Sequence, residues 1–310
     1  MAVAVLFPGQ GSQFSGMADP WTEHEAGRAV MEEASAAVGQ DVVAGCRDER
    51  LLSTTEFVQP ALLACDVAAF RVLEAEGARF DAAAGHSLGE FAALVAAGVV
   101  GFVPALGAVV ARGRAMQMAS DRRAGTMTAL VGVTPEEAAE ICESAGRGDV
   151  LAVANENASN QVVLSGTVDA IERAEEAAKS RGARAIRLKV AGAFHSPLMQ
   201  PAVDPIREAL AKLEFAEPRF PIVANVSARF VGQPAALRDG LSRHVVSPVR
   251  WERSMQALAE AGIDAFVEAG PGQVLSKLAK RAFPGLRVAS VGSPEEAAAF
   301  ARAASEEVAS

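Results

Sequence analysis

Residues 82–90 read Ala-Ala-Ala-Gly-His-Ser-Leu-Gly-Glu: a short apolar run, a Gly-x-Ser-x-Gly turn, and then an apolar helical stretch from 88 to about 97. A strand that enters a glycine-flanked serine and leaves as a helix is a nucleophile elbow. Gly85 and Gly89 permit the tight backbone path and keep side chains clear of the serine. The turn lifts the Ser87 hydroxyl to the helix N-terminus and points the amide of Leu88 at a developing oxyanion. The pentapeptide alone is a common pattern, and an ordinary strand-to-helix turn is the competing reading. Its place between strand and helix favours the elbow.

Outward from that turn the chain alternates strand and helix. Residues 3–7 form a β-branched apolar run that stops at Pro8-Gly9, as a buried parallel strand does. Helical spacing marks 26–38, 60–76 and about 103–120. This alternation predicts an α/β sheet with helices on both faces. From 126 the order changes. A strand at 126–133 is followed by a helix from Pro135 to about 145, with Thr134 as N-cap and proline at the first helical position. Strands at 150–154 and 161–165 flank an Asn-rich turn, an amphipathic helix covers 169–180, and a last strand covers 185–190. That β-α-β-β-α-β order is the split βαβ pattern of a ferredoxin-like unit. Afterwards the alternation resumes: helix 201–213, strand 222–225, helix 254–261, strand 265–268, helix 274–282. The chain therefore reads as one large α/β subdomain, 1–124 and 191–310, interrupted by a small one at 125–190. The stretch after Pro294 reads as a surface helix with a frayed end.

Composition narrows the function. The 310 residues are half hydrophobic and 22% charged, which excludes disorder as a whole-chain description. Acids outnumber bases 38 to 29, and a net charge of −9 argues against a nucleic-acid partner. Cys46, Cys65 and Cys142 are widely spaced and odd in number, with neither metal spacing nor a disulfide framework, so a reducing cytoplasm fits. The absence of tyrosine excludes a catalytic one. No secretory pattern opens the chain. Residues 91–111 carry no charge and could span a bilayer, but Gly98, Gly101 and Pro104 interrupt them. Two buried helices joined near 100–103 are expected there, not a membrane span.

A serine nucleophile needs a base, and there are four histidines. His86 adjoins Ser87 on a sharp turn and should point away from it. His24 and His244 lie among charged residues and read as exposed. His195, in Ala193-Phe194-His195-Ser196-Pro197, follows the last strand of the small unit, at the mouth of a cleft between subdomains. By itself it could be a capping or packed histidine; beside Ser87 it becomes the candidate base. No acidic third member stands out, and a backbone carbonyl can hold the imidazole tautomer instead. The loop after the first strand, FPGQGSQ at 7–13, is placed to give a second oxyanion donor. A phosphate loop is excluded there because no Gly-Lys-Ser/Thr follows.

FPGQGSQ at 7–13, QPALL at 59–63, GHSLGE at 85–90, ARGRAMQ at 111–117, GAFHS at 192–196, SPVRW at 247–251 and EAGPGQVL at 268–275 resemble the malonyl-CoA:acyl carrier protein transacylases. They are also similar to the acyltransferase domains of polyketide synthases. The resemblance implies an α/β-hydrolase-like core with an inserted ferredoxin-like small subdomain. It makes Ser87 the acylated nucleophile and His195 its base, with the amides of Gln10 and Leu88 as the oxyanion hole and the carbonyl of Arg250 orienting His195. Gln59 and Phe194 fall on the substrate side. Arg112 would grip the free carboxylate of a malonyl group, for which a planar guanidinium is geometrically matched. Leu88 and Phe194 resemble malonyl-selective members, phenylalanine filling the space that a 2-methyl branch needs.

The implied function is malonyl transfer from malonyl-CoA to the phosphopantetheine thiol of an acyl carrier protein. The implied enzyme is a cytoplasmic monomer that needs no cofactor or metal and binds neither nucleic acid nor membrane. Three other readings stand beside it. One is a stand-alone acyltransferase of a polyketide assembly line with another acyl unit or carrier. The others are a serine esterase or thioesterase, and a non-catalytic module that kept the fold. Because carrier proteins are generally acidic, docking on a net acid needs a local basic patch. Lys277, Lys280 and Arg281 share a helix face. Arg184, Arg187 and Lys189 lie on or near the last strand of the small unit.

Overall fold

The computed structural model describes residues 1–308, the last four by backbone alone. The frayed end expected of the C terminus lies outside the described residues. In chain order the strands are β1 Val3–Phe7, β2 Ala82–Gly85, β3 Thr126–Val131, β4 Leu151–Ala158, β5 Gln161–Gly166, β6 Arg184–Arg187, β7 Ile222–Ala224, β8 Arg229–Val231, β9 Ala265–Ala269 and β10 Arg287–Val291. They build two sheets.

The larger sheet has the order β10-β9-β1-β2-β7-β8. Its first five strands are parallel, and β8 returns antiparallel to β7. Helices cover both faces, so β1 is buried along its whole length and carries no polar residue. Its alternate side chains part to opposite faces. Val3, Val5 and Phe7 join the core built by the helices Thr55–Ala75, Gly89–Ala96 and Phe102–Arg122. Ala4 and Leu6 join a second core with Trp251, Met255 and Leu258, and with Leu275 and Leu278. The uncharged stretch expected to break near 100–103 does break, between the helices Gly89–Ala96 and Phe102–Arg122. Among the described residues no helix is long and apolar enough to cross a membrane.

The smaller sheet is fully antiparallel, order β4-β5-β3-β6, the strand order of a ferredoxin-like unit. One face packs Leu130, Val162 and Leu164 against its own two helices, Pro135–Gly146 and Val168–Ser180. The other face gives Met127, Ala129 and Val163 to the larger core. The small unit therefore shares its second apolar face with the rest of the chain. Backbone stitches reinforce the join, with Val249 N–H donating to Ala154 O at 2.8 Å and Glu156 N–H donating to Val249 O at 2.9 Å.

Several boundaries differ from the sequence expectation. The helix read from Pro60 begins at Thr55, with Pro60 inside it. Its burial against helix Phe102–Arg122 outweighs the one amide hydrogen bond that proline cannot make. Strand β4 runs through the Asn-rich segment to Ala158 by register shifts at 153–155 and 156–158, which admit polar residues into a strand. The last strand stops at Arg187, so Lys189 does not share a strand face with it. The segment beyond turns Leu188 and Val190 toward the cleft. Strands β8 and β10 and the helix Pro234–Arg243 have no strong signal in the sequence, because edge strands of three to five residues with exposed ends lack a clean alternation.

The two ends of β1 and β2 meet backbone to backbone. A Cβ on Gly9 would overlap the carbonyl of His86, one on Gly89 the carbonyl of Phe7, and one on Gly85 the backbone of Gly89 and Glu90. Gly89→Ala should therefore destabilise the protein by about 3 kcal/mol, since backbone cannot move aside as a side chain can. Gly107, exposed in helix Phe102–Arg122 with open space at its Cβ, is the control. Gly107→Ala should stabilise by about 0.5–1 kcal/mol. Thermal melting of the two variants measures both signs.

Candidate active site

Ser87 sits between β2 and the helix Gly89–Ala96 with φ 52°, in the left-handed region that non-glycine residues rarely enter. His195 also has a left-handed φ, 56°. Each such residue costs on the order of 1–3 kcal/mol and persists only where its surroundings over-determine it. At Ser87 the backbone N–H donates to Asn225 Oδ1 at 2.7 Å, and Asn225 Nδ2 donates to Gly85 O at 2.6 Å. One side chain thus brackets the turn from both sides.

The two strained residues meet: Ser87 Oγ lies 2.8 Å from His195 Nε2. His195 Nδ1 lies 3.0 Å from His244 O and 3.1 Å from Ser247 O. Two carbonyls can only accept, so Nδ1 carries the proton and Nε2 is left to take the serine proton. Backbone carbonyls do hold the tautomer, but not that of Arg250. The Arg250 carbonyl is the N-terminal acceptor of helix Trp251–Glu260, bonded by Ser254 N at 3.0 Å and Ser254 Oγ at 2.9 Å. Arg250 N–H instead donates to Asn225 O at 3.2 Å. The chain reaches His195 one turn earlier because residues 244–246 form a 3-10 turn, with the carbonyls of His244 at its start and Ser247 just after it on His195 Nδ1.

Arg112 is 1% exposed on the facing helix. Its Nη1 donates to Gln59 Oε1 at 2.6 Å and its Nη2 to Ser87 Oγ at 3.2 Å. Gln59, assigned to substrate, lines the cavity, but its carbonyl oxygen is committed to Arg112. Gln59 Nε2 lies 3.4 Å from Gln10 Oε1 and the same distance from Met116 Sδ. Burial pulls Arg112 down to about 10, against the opposing field of Glu90, so it stays charged at neutral pH. Glu90, 2% exposed, is pushed up to about 7 by burial, with the Asn225 amide and Arg112 opposing.

One cavity is lined by Gln10, Gln59, Ser87, Leu88, Arg112, Phe194 and His195, together with Met127, Asn155, Leu188 and Val190 from the small subdomain and its exit. Among the described residues the amides of Gln10 and Leu88 donate to no protein acceptor, which leaves both available to an oxyanion beside Ser87. His86 points away, its Nε2 2.9 Å from Asn157 Oδ1 and its ring against Trp251. His24 caps the helix Glu25–Val38. His244 corrects the sequence reading: it is 1% exposed, because the chain turns inward after Arg243, whose guanidinium stays outside on Asp239. Asn225, Asn155 and Glu90 were not assigned from sequence. Only Glu90 had a signal, its place in GHSLGE.

A serine on an elbow, an imidazole with its accepting nitrogen on that serine, two unengaged backbone amides and a buried cation in one cavity define a nucleophilic acyl-group enzyme of the α/β class. The chain belongs to the acyl transferase domain family, whose model matches residues 5–305. The chain is 41% identical over 303 residues to the malonyl CoA-acyl carrier protein transacylase of Escherichia coli strain K12, covering 96% of this chain and 97% of that one. Among solved structures it is similar to an acyl-carrier-protein S-malonyltransferase from Burkholderia pseudomallei, with TM-score 0.93, 39% identity, and coverage of 97% of this chain and all of that one. It is also similar to PlMCAT in PlMCAT:AntF, described as a type II PKS acyl-carrier protein in complex with its malonyl-transacylase. The TM-score is 0.94 and the identity 36%, with 98% of this chain and all of that one covered.

Burial, Arg112 and His86 push His195 down from 6.5 to about 3, while the carbonyl of His244 opposes them. The native state then binds fewer protons than the unfolded chain in that window. The stability is fully present above 6.5 and is lost as the pH falls toward about 3. Glu90 has the opposite sign: raised from 4.5 to about 7, it costs stability as the pH rises through that window. The Tm of Glu90→Gln relative to wild type should therefore increase from about pH 5 to about pH 8. The His195 ring, followed by imidazole nitrogen shifts, should stay neutral down to about pH 5.

Proposed function

We propose that this chain is a malonyl-CoA:acyl carrier protein S-acyltransferase working through an acyl-serine intermediate. The observation that carries the reading is Arg112, a buried guanidinium whose Nη2 reaches the nucleophile oxygen. A cation at that spot selects an acyl group that itself bears an anion, and malonyl does so at the position where an acetyl group ends in a methyl. Ester hydrolysis as the main activity is disfavoured for the same reason, since few esters carry a free carboxylate.

In the first half-reaction Ser87 Oγ attacks the thioester carbonyl of malonyl-CoA while His195 Nε2 takes its proton. The amides of Gln10 and Leu88 receive the oxyanion, and CoA leaves as the thiol, taking the proton back from His195. In the second, the carrier's phosphopantetheine thiol gives its proton to His195 and attacks the acyl-serine; the Ser87 Oγ–acyl bond breaks and Oγ takes the proton back from His195, restoring both residues. No cofactor enters this cycle. The malonyl carboxylate, paired with Arg112, neutralises a charge that depresses His195 and so eases formation of the imidazolium. Phe194, buried in the cavity wall, is proposed to exclude a 2-methyl branch, a steric preference of about 1–3 kcal/mol. Three unpaired cysteines support a cytoplasmic location. A polyketide carrier as the acceptor is the second reading, favoured by the likeness to PlMCAT in its complex with AntF.

Incubation with malonyl-CoA should add about 86 Da to Ser87, and Ser87→Ala should abolish the adduct in intact-mass measurements. A full adduct in that variant would remove the assignment. Arg112→Ala should cost malonyl transfer about 2–5 kcal/mol while sparing acetyl transfer, and lysine should rescue poorly because it lacks the planar fork. Equal losses for both acyl groups would reduce Arg112 to a structural role.

Carrier docking generates a separate expectation. Lys277 and Lys280 are exposed on helix Val274–Ala282, whereas Arg187 is held on Glu175 by two hydrogen bonds of 2.7 and 2.9 Å. Charge reversal at Lys277 and Lys280 should slow transfer to the carrier and reduce its salt dependence, with Ser87 acylation by malonyl-CoA intact. Unchanged carrier transfer would point away from this face.

A further inference from the structure

Behind the elbow lies a second polar layer, outside the lining of the cavity. Asn225, at the end of β7, is fully buried, and every polar atom it owns is engaged. Its amide donates to Glu90 Oε2 at 3.1 Å, and its carbonyl accepts from Arg250 N. Its side chain binds Ser87 N, Gly85 O and, at 3.1 Å, the ring nitrogen Nε2 of His244.

The chemistry fixes the orientation of each group. Ser87 N–H can only donate and Gly85 O can only accept, so Oδ1 of Asn225 faces the serine amide and Nδ2 the glycine carbonyl. Oδ1 also faces His244 Nε2, which must therefore carry the proton. His244 Nδ1 is then a lone pair with no hydrogen-bond partner, its nearest acid being Glu90 Oε2 at 4.0 Å. The backbone carbonyl of the same His244 is one of the two acceptors of His195 Nδ1–H. One residue thus holds both halves of the dyad: through its imidazole it orients the asparagine that pins Ser87, and through its carbonyl it orients His195.

We propose that His244 and Asn225 are positioning residues for the Ser87–His195 pair, with His244 the common post that sets the distance between nucleophile and base. Ser87 and His195 come from distant parts of the chain, and among the described residues no backbone–backbone hydrogen bond joins them. The route Ser87 N to Asn225 to His244 to His195 is short, buried from Asn225 onward, and at each bond only one donor–acceptor sense is possible. The proposal rests on Ser87 being the nucleophile and His195 its base. It holds whichever acyl group is transferred.

The test uses a reaction independent of the acyl donor: inactivation of the intact enzyme by a fluorophosphonate. In that reaction a Ser87 Oγ–P bond forms, fluoride leaves and His195 accepts the serine proton. His244→Leu removes the imidazole donor but keeps the backbone carbonyl. It should label at least about tenfold slower than wild type, with the KM for malonyl-CoA changed less than about twofold. His244→Gln, whose amide nitrogen reaches the place of Nε2, should recover labelling to within about threefold. Asn225→Asp is isosteric and still accepts from Ser87 N, but sets an oxygen against Gly85 O. It should be slow as well, and it carries the test if His244→Leu does not fold. Wild-type labelling rates in His244→Leu or Asn225→Asp would overturn the proposal. So would a His244→Gln variant as slow as His244→Leu at equal Tm, because a role in packing alone cannot distinguish a hydrogen-bond donor. If Ser87→Ala labels as fast as wild type, the nucleophile assignment fails first. If labelling responds as stated while no malonyl adduct forms, the proposed substrate fails and the positioning role stands.

Discussion

The rest of the structure depends on the backbone contact between the end of β1 and the elbow after β2. Glycines at 9, 85 and 89 let two loops approach until carbonyls occupy the space where side chains would begin. His86 N–H donates to Phe7 O at 2.9 Å across that contact, which locks the loops in register. The consequence is chemical. Gln10 and Leu88, from segments nearly eighty residues apart, line one cavity together with Ser87. The parallel pairing of β1 with β2 delivers both loops to the same edge of the sheet, and the glycines remove the last steric obstacle.

Around this contact the protein buries an unusual set of polar groups: Arg112, Glu90, His195, His244 and Asn225 are all less than a tenth exposed. Burial acts on them in opposite directions, lifting the carboxyl of Glu90 toward neutral pH and driving both imidazoles far below it. The outcome is a site with a neutral base and a persistent cation. A neutral base can accept the serine proton over a wide pH range. A cation whose strongest acidic neighbour is itself near its midpoint keeps attraction in reserve for an anionic acyl group. The charge of Arg112 also depresses His195, so cation and imidazole are electrostatically linked.

The small antiparallel sheet takes part in the same economy of contacts. Its inner face supplies Met127 and its exit supplies Leu188, Val190 and Phe194 to the cavity, while Asn155 reaches in from the irregular part of β4. Because that face belongs to the larger core, the cleft has two walls fixed to one another rather than two lobes joined only by linkers.

The sequence by itself determined the elements that rest on local rules. β1, β2 and the helix Val274–Ala282 follow from apolar period and from glycine and proline stops, and the ferredoxin-like order of the insertion follows from the same signals. Ser87 and the Gln10 loop were legible because turn chemistry is written in adjacent residues, and His195 because a serine needs a base and the other three histidines fit that place less well. Arg112 was marked through the resemblance of ARGRAMQ at 111–117. What only the tertiary structure decided is which distant groups meet. The carbonyls on His195 are those of His244 and Ser247, not Arg250, because a 3-10 turn places them there. His244 lies inside although its neighbours are charged, and Asn225, read from sequence only as the end of a strand, is the residue that brackets Ser87. The physical reason is that period and propensity register a residue's own backbone neighbourhood. A hydrogen bond across 138 residues exists only once the sheet has brought both ends to one edge.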